Sequence, residues 1–286
     1  MNLILQALTS NLAAPAAIDT IAGITGAARA EPIAVRAAGT QAWRLAGAAQ
    51  AANAELDRAC LEAGIDYAWI DPARRLADFR LVAMDMDSTL ITIECIDEIA
   101  DMQGLKPQVA EITEAAMRGE IEFNESLTRR VALLKGLDAS ALQRVYDERL
   151  QLSPGAQPML QAIQAAGLKT LLVSGGFTFF TDRMKTRLQL DYTHSNTLEI
   201  VDGKLTGRVV GGIVNADEKR ATVERVCAEL GAAPHQAIVM GDGANDLRMM
   251  EVAGLSVAFR AKPVVRAQAD VGLNFVGLDG ILNLLG

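Results

Sequence analysis

Three apolar runs along the chain end abruptly in polar or small residues. They are Leu81–Met84 before Asp85, Leu171–Val173 before Ser174, and Ala237–Met240 before Gly241. Short, continuously apolar runs of this kind are typical of strands in a parallel sheet that is covered on both faces. Open α/β sheets bind ligands at the carboxyl ends of their strands, so we expect the residues after these runs to meet.

Residues 95–150, between the first two runs, follow a different pattern. Their apolar residues recur mostly at spacings of three and four, which predicts about four helices. Gly104, Gly119 and Gly136 divide them. We expect these helices to bury their own apolar faces and to form a helical cap over the strand ends.

The first 78 residues contain segments in the order strand, helix, strand, strand, helix, strand. The segments are Asn2–Leu8, Ala13–Ile24, Pro32–Arg36, Gln41–Leu45, Ala51–Ala63 and Asp66–Ile70. This is the ferredoxin-like order, so we predict a small α+β domain over residues 1–78 and a larger domain over 79–286. Three roles stay open for the small domain: binding a regulator, self-association into a homo-oligomer, or scaffolding alone.

Beyond residue 150, helical and strand-like segments alternate. The predicted helices are Met159–Ala166, Phe177–Leu190 and Asp217–Leu230, a hairpin spans Asn196–Val209, and short strands and helices run from Leu255 to Leu285. This alternation predicts a doubly wound, mostly parallel α/β sheet.

Composition narrows the functional classes. The 286 residues carry a formal net charge of -8, which argues against binding to duplex nucleic acid or to an anionic membrane. Three cysteines without a C-x-x-C pair favour the reducing cytoplasm. The chain starts without a basic leader and has no long apolar run, so we expect a soluble, unprocessed protein. The two histidines, His194 and His235, lie in no ligand-like cluster, which argues against a histidine triad or a zinc site.

The acids after the first run are candidate catalytic groups. Residues two apart on an extended chain point the same way, so Asp85 and Asp87 can address one small volume. A second interpretation is that they cap the following helix together with Ser88 or Thr89. The run alone leaves both open.

Later stretches offer groups that suit a phosphate and a cation. The Ser174 hydroxyl and the glycine backbone of Gly175–Gly176 can hold an anion, although a serine cap on the next helix fits the same residues. The polar stretch Gly241–Asp246 suits a hard cation with oxygen ligands, or a turn that caps the next helix. Lys219 and Arg220 begin a helix, where an anion would stabilise a cation, unless they form a solvated pair with neighbouring glutamates.

These stretches together resemble the ordered motifs of the haloacid dehalogenase superfamily. The motifs are Asp85-Met86-Asp87-Ser88-Thr89, Val173-Ser174-Gly175-Gly176, Lys219 and Gly241-Asp242-Gly243-Ala244-Asn245-Asp246. The stretches around Glu94, Arg130 and Phe177 are similar to the phosphoserine phosphatase family in particular. This resemblance covers residues 80–276, and the first 78 residues loosely resemble the ACT-like extension of some bacterial members.

The resemblance implies a reaction and a set of site residues. The reaction is Mg²⁺-dependent hydrolysis of the small molecule O-phospho-L-serine, the last step of serine biosynthesis, through an aspartyl phosphate. Asp85 is then the nucleophile and Asp87 the general acid and base. The implied metal ligands are Asp85, the Asp87 carbonyl and Asp242, with Asp246 supporting the water shell of the ion.

The resemblance also implies the residues that bind the substrate. Ser174, Gly175 and Lys219 hold the phosphoryl oxygens, Asn245 orients substrate or water, Glu94 faces the ammonium, Arg130 faces the carboxylate, and Met117 and Phe123 are apolar walls. Without the resemblance, Glu94 and Arg130 fit surface ion pairs, and Met117 and Phe123 fit the packing of the cap.

Two other functions use similar residues. A phosphotransferase would pass the phosphoryl group from the same intermediate to another alcohol, such as homoserine. A receiver-type signalling module also combines acids, a hydroxyl group, a lysine and Mg²⁺. Receivers carry the acceptor acid on a later strand and lack a cap, so the order of the motifs here favours an enzyme.

Overall fold

The computed structural model describes residues 1–50 and 54–285. Its strands are β1 (Asn2–Leu8), β2 (Arg29–Pro32), β3 (Thr40–Ala46), β4 (Asp66–Ile70), β5 (Leu81–Met84), β6 (Lys169–Phe177), β7 (Tyr192–Val201), β8 (Lys204–Val210), β9 (Ala237–Gly241), β10 (Leu255–Phe259) and β11 (Val271–Leu273). Its helices are α1 (Ala14–Thr25), α2 (Ala54–Ala63), α3 (Cys95–Asp101), α4 (Lys106–Met117), α5 (Phe123–Leu133), α6 (Ser140–Glu148), α7 (Ala156–Ala165), α8 (Thr178–Leu188), α9 (Ala216–Glu229), α10 (Leu247–Met250) and α11 (Pro263–Arg266).

The strands form one mixed sheet in the order β2-β3-β1-β4-β11-β10-β9-β5-β6-β7-β8. Strand β5 lies between β9 and β6 and is parallel to both. All of its side chains are buried, and they alternate between two hydrophobic clusters. Val82 and Met84 belong to one cluster, and Leu81 and Ala83 belong to the other. The apolar run is continuous because both faces of this strand are covered.

The predicted order of elements before residue 78 is observed. Strands β1 to β4 are antiparallel, and α1 and α2 cover them with a separate hydrophobic cluster that includes Leu3, Leu5 and Ile21. The sheet does not stop at the end of this unit. Ala68 of β4 pairs with Val271 of β11, so the small sheet continues into the larger one.

Helices α3 to α6 all lie between β5 and β6 in the chain, as the spacing of apolar residues predicts. Gly104, Gly119 and Gly136 separate them and have positive φ values of 66°, 75° and 85°. A residue with a Cβ atom is strained in this conformation, which explains the glycines. The segment between α5 and α6 also contacts the hairpin of β7 and β8. The Gly136 N–H donates to the Leu205 carbonyl at 2.8 Å.

Several predicted boundaries were wrong. The strand predicted at Pro32–Arg36 lies at Arg29–Pro32, so Pro32 ends the strand and does not begin it. Proline has no N–H to donate, and the chain leaves the sheet soon after it. The helix predicted at Phe177–Leu190 spans Thr178–Leu188, because β6 continues through the glycines to Phe177 with an irregular register after Ser174. The part of the predicted segment Ala51–Ala63 before residue 54 lies outside the described residues.

The C-terminal segments alternate as expected but are short. Helix α11 has 4 residues, β11 has 3, and Leu278–Asn283 forms a 3-10 helix. Within residues 1–50 and 54–285, no helix is long and apolar enough to cross a membrane.

Candidate active site

Three carboxylates meet at the carboxyl ends of β5 and β9. Asp85 directly follows β5, and Asp242 and Asp246 lie in the turn after β9. One ligand atom from each lies within 4.8 Å of the others. The two strands are parallel neighbours, which brings acids that are more than 150 residues apart in the chain to one point.

Lys219 lies at the centre of this cluster and is fully buried. Its Nζ is 2.9 Å from Asp85 Oδ2 and 2.7 Å from Asp246 Oδ1. The adjacent Arg220 points away, and its Nε is 2.9 Å from Glu224 Oε1. The interpretation of a solvated pair therefore holds for Arg220 and is wrong for Lys219.

Burial and mutual repulsion change the acidity of the cluster. Burial, followed by the charge of Asp246, raises the pKa of Asp85 well above its usual value, although Lys219 opposes the shift. The same two causes raise the pKa of Asp242 to about 7. Burial lowers the pKa of Lys219, but the carboxylates of Asp246 and Asp85 outweigh it and raise the pKa overall. The lysine is therefore a cation at neutral pH, but its charge does not cancel the upward shift of the pKa at Asp85 and Asp242.

Asp85 caps a helical turn and also faces the carboxylate cluster. Its Oδ1 accepts a hydrogen bond of 2.7 Å from Met86 N–H, so it caps the helical turn over Met86–Leu90. Its other oxygen faces Lys219. In the same turn, Thr89 Oγ1 donates to Asp242 Oδ1 at 3.0 Å and links the β5 and β9 loops.

Asp87 lies outside the carboxylate cluster. Its Oδ2 accepts a hydrogen bond of 3.3 Å from Cys95 N–H at the start of α3. Its Oδ1 is buried and has no hydrogen-bond partner among the described residues. Burial and the charge of Glu94 raise the pKa of Asp87 to about 8, so this acid holds a proton at neutral pH.

Ser174 and the two glycines follow the buried part of β6 beside Asp87. Ser174 is buried and its Oγ accepts from Gly176 N–H at 2.9 Å. Helix α8 has Phe177 as its N-cap, so the alternative interpretation of Ser174 as the cap of this helix is wrong. A Cβ atom on Gly176 would lie 3.3 Å from Asp87 Oδ2 and 3.1 Å from Ser174 Oγ, so only glycine leaves these groups their present spacing.

The other predicted site residues lie around this centre. Glu94 Oε1 accepts a 2.6 Å hydrogen bond from Ser88 Oγ. Arg130 makes a 3.4 Å hydrogen bond to the Ser126 carbonyl and forms no ion pair with any described residue. The surface ion pair considered for it is therefore not observed.

The apolar candidates differ in their surroundings. The ring of Phe123 lies 3.1 Å from where a Cβ of Gly175 would be, so it reaches the glycines of β6. Met117 ends α4 and is 63% exposed, which contradicts the interpretation of Met117 as cap packing. Asn245 folds over Gly243 in the turn after β9.

One buried polar residue at this site gave no signal in the sequence. Asn196, in β7, donates from Nδ2 to the Gly175 carbonyl at 2.8 Å and accepts at Oδ1 from Val214 N–H at 2.8 Å. It fixes the glycine loop of β6 to the segment before α9. An asparagine within a strand carries no motif, so only the fold reveals this role.

The donor set fits a divalent cation. Hard cations prefer carboxylate oxygens, and Asp85, Asp242 and Asp246 supply these close together. Burial and mutual repulsion raise the pKa of Asp85 and Asp242, and a bound cation would offset that repulsion. The Asp87 carboxylate is directed elsewhere, so this residue could offer a cation only its backbone carbonyl.

Comparison with known proteins gives a consistent result. Residues 79–254 match the family model of the haloacid dehalogenase-like hydrolases. The chain is 59% identical over 219 residues to a phosphoserine phosphatase of Polaromonas sp., which covers 75% of this chain and 93% of that protein. It is 49% identical to the phosphoserine phosphatase of Haemophilus influenzae over 77% of this chain and 70% of that protein.

Solved structures show the same relationship. A haloacid dehalogenase family hydrolase from Salmonella enterica serovar Typhi matches 100% of this chain and 99% of its own, with a TM-score of 0.89 and 36% identity. A probable phosphoserine phosphatase from Vibrio cholerae matches 99% of this chain and 86% of its own, with a TM-score of 0.81 and 36% identity.

Proposed function

Because this chain belongs to the phosphoserine phosphatase family of haloacid dehalogenase-like hydrolases, we propose that its acid cluster hydrolyses O-phospho-L-serine to L-serine and phosphate. The observation that carries the proposal is the position of Lys219 between Asp85 and Asp246, with Asp242 beside them. A carboxylate that attacks a phosphate monoester faces repulsion between anions, and this centre concentrates the charges that overcome it.

Asp85 is the proposed nucleophile. A carboxylate oxygen attacks phosphorus, the bond from phosphorus to the serine oxygen breaks, and an aspartyl phosphate forms. Lys219, the Ser174 hydroxyl and Gly175 N–H hold the phosphoryl oxygens. Water then attacks phosphorus in the second step, which releases phosphate and restores the Asp85 carboxylate.

Asp87 is the proposed general acid and base. Its raised pKa leaves a proton on the carboxyl group at neutral pH, which the departing serine oxygen takes in the first step. The resulting carboxylate accepts a proton from the attacking water in the second step. The Oδ1 atom accepts no hydrogen bond from residues 1–50 or 54–285, which leaves it available for this exchange.

The cation of the site is proposed to be Mg²⁺. Asp85, the Asp87 carbonyl and Asp242 would hold it, with Asp246 supporting its water shell. When bound, it supplies positive charge that stabilises the phosphoryl oxygens and the ionised form of Asp85. All proton transfers remain with Asp87.

The groups around the centre are proposed to select the amino acid. Glu94 would bind the ammonium and the unpaired guanidinium of Arg130 the carboxylate, because a fork of N–H donors matches that group. Phe123 and Met117 would cover the aliphatic part, and Asn245 would orient substrate or water.

We also propose a division of the chain. Residues 79–286 would form the catalytic domain, with a cap at about 95–150, and residues 1–78 an ACT-like domain. The family match, which begins at residue 79, supports the boundary. The helices α3 to α6 support the cap, because Phe123 reaches the β6 glycines from this side.

The test is phosphate release from O-phospho-L-serine with and without Mg²⁺. We expect D85N to lose at least about 10³-fold in kcat, because the variant lacks the attacking carboxylate. The exposed substitution D19N is the control and should match the wild type. Full activity of D85N would show that Asp85 is not the nucleophile.

A further inference from the structure

Lys262 lies at the edge of the proposed site in a fixed backbone conformation. It follows β10 and precedes Pro263, and its φ of -60° and ψ of 150° are those that a residue before proline favours. Its N–H donates to the Asp242 carbonyl at 3.3 Å. The backbone of Lys262 is therefore attached to the loop that carries one of the clustered acids.

The side chain of Lys262 extends from this loop to α4. Its Nζ is 3.8 Å from the sulfur of Met117, at the C-terminal end of that helix. Among residues 1–50 and 54–285, Lys262 forms no ion pair with a carboxylate. An exposed lysine with its charge in solvent needs no partner, but this one reaches Met117, which the proposed function places against the substrate.

The charges of two cations, Arg130 and Lys262, act on the carboxyl group of Glu94. Desolvation raises the pKa of its carboxyl group, and the charges of Arg130 and Lys262 both oppose that shift. Arg130 belongs to α5 and Lys262 to the loop before α11. An amino acid whose ammonium binds Glu94 would therefore have a cation on the α5 side and another on the α11 side.

We propose that Lys262 is a specificity-determining residue whose ammonium binds the carboxylate of the substrate together with Arg130. This inference depends on the proposed function, since it concerns the amino-acid part of O-phospho-L-serine. Two cations from separate elements would hold a carboxylate only when the cap and the loop after β10 lie close together, as the contact between Lys262 and Met117 shows them to be.

The experiment compares two ligands on the full chain. O-phospho-L-serine has a carboxylate, whereas O-phosphoethanolamine has the phosphate and the ammonium but no carboxylate. We expect K262M to raise KM for O-phospho-L-serine about 10- to 100-fold with little change in kcat, the size of one charged hydrogen bond. O-phosphoethanolamine, followed as a substrate or as a competitive inhibitor, should bind K262M and the wild type equally.

Two further variants complete the test. K262R keeps the charge and should recover most of the affinity, while K204M removes an exposed lysine from the β7–β8 hairpin and should behave as the wild type. Equal loss for both ligands would overturn the proposal, because Lys262 would then act on the phosphate or on the position of the cap. An unchanged KM for O-phospho-L-serine would also overturn it. Absence of wild-type phosphate release would instead contradict the proposed function.

Discussion

Asp85 and Asp87 are two residues apart, yet the fold gives their carboxylates different surroundings. Asp85 faces the ammonium of Lys219 at 2.9 Å, whereas Asp87 faces Cys95 N–H and has one oxygen without a hydrogen-bond partner in the described part of the chain. Burial raises the pKa of both carboxyl groups, but the charge of Lys219 opposes the shift at Asp85, whereas the charge of Glu94 adds to the shift at Asp87. This difference in surroundings suits Asp85 to act as the nucleophile and Asp87 as the proton donor. The motif alone does not assign these roles, because the two side chains are identical.

The protonation of Asp87 gives a pH prediction. The pKa of its carboxyl group is raised to about 8, so the proton that the serine oxygen needs is present below this pH and is lost above it. We expect kcat/KM for O-phospho-L-serine to fall about tenfold per pH unit on the alkaline side. The positive charge of a bound cation would lower the pKa of Asp87, so this alkaline limb of the pH profile would then lie at lower pH.

The D87N variant identifies the source of that limb. It should lose about 10²- to 10⁴-fold in kcat/KM, the usual contribution of a general acid, and should lack the alkaline limb. Initial rates of phosphate release between pH 6 and 9.5 measure both. A variant that keeps the limb would assign it to another group.

At the scale of elements, the site depends on close approach along β6. The strand continues through Gly175 and Gly176, and Asn196 of β7 holds the Gly175 carbonyl at 2.8 Å. Because Gly175 and Gly176 have no side chains, Asp87 in the turn after β5 and Phe123 in α5 can approach this backbone closely. The glycines therefore serve packing between elements as well as any contact with phosphate.

The substitution G176A tests this packing. A Cβ there would lie 3.0 Å from Met86 Cε and 3.3 Å from Asp87 Oδ2, so these side chains must move by a few tenths of an ångström. We expect a loss of about 1 to 3 kcal/mol in the free energy of unfolding and at least about tenfold in kcat. Urea denaturation and steady-state kinetics measure these effects.

Gly212 supplies a matched control, because a Cβ on it would meet nothing within 4 Å and its φ is not positive. G212A should retain the stability and the rate of the wild type. A G176A variant as active as G212A would show that the turn over Met86–Leu90 tolerates the methyl group.

At the scale of the whole molecule, Asp66 joins the N-terminal unit to the larger sheet. This buried carboxylate, at the start of β4, accepts hydrogen bonds from the N–H groups of Asn274, Phe275 and Val276 at 2.7, 2.9 and 2.9 Å. The bonds follow the pairing of β4 with β11. The small unit is thus held by directional contacts and not by apolar packing alone.

We predict that D66N destabilises this junction and leaves the chemistry intact. An asparagine amide must place N–H donors against backbone N–H donors, so the loss should be about 2 kcal/mol or more. Thermal unfolding should begin at a lower temperature, while kcat at 25 °C should stay within about twofold. D19N, on exposed α1, is the control, and equal melting curves for the two variants would contradict the role of Asp66.

The sequence by itself determined the elements whose pattern is local. Continuous apolar runs indicated β5 and β9 because both faces of a central strand are buried, and three- and four-residue spacings indicated α3 to α6 because a helix buries one face. The motifs also indicated which acids, hydroxyl and lysine to expect at the strand ends. These inferences need only neighbours in the chain.

Only the tertiary structure decided what depends on contacts between distant segments. It distinguished Lys219 from Arg220 by burial and left one Asp87 oxygen without a partner among the residues it describes. It also brought Asn196 to the β6 glycines and Lys262 against Met117. It also joined the two sheets through β4 and β11. The physical reason is that pKa values, hydrogen bonds and close approach depend on which atoms are near in space, and periodicity along a chain does not specify them.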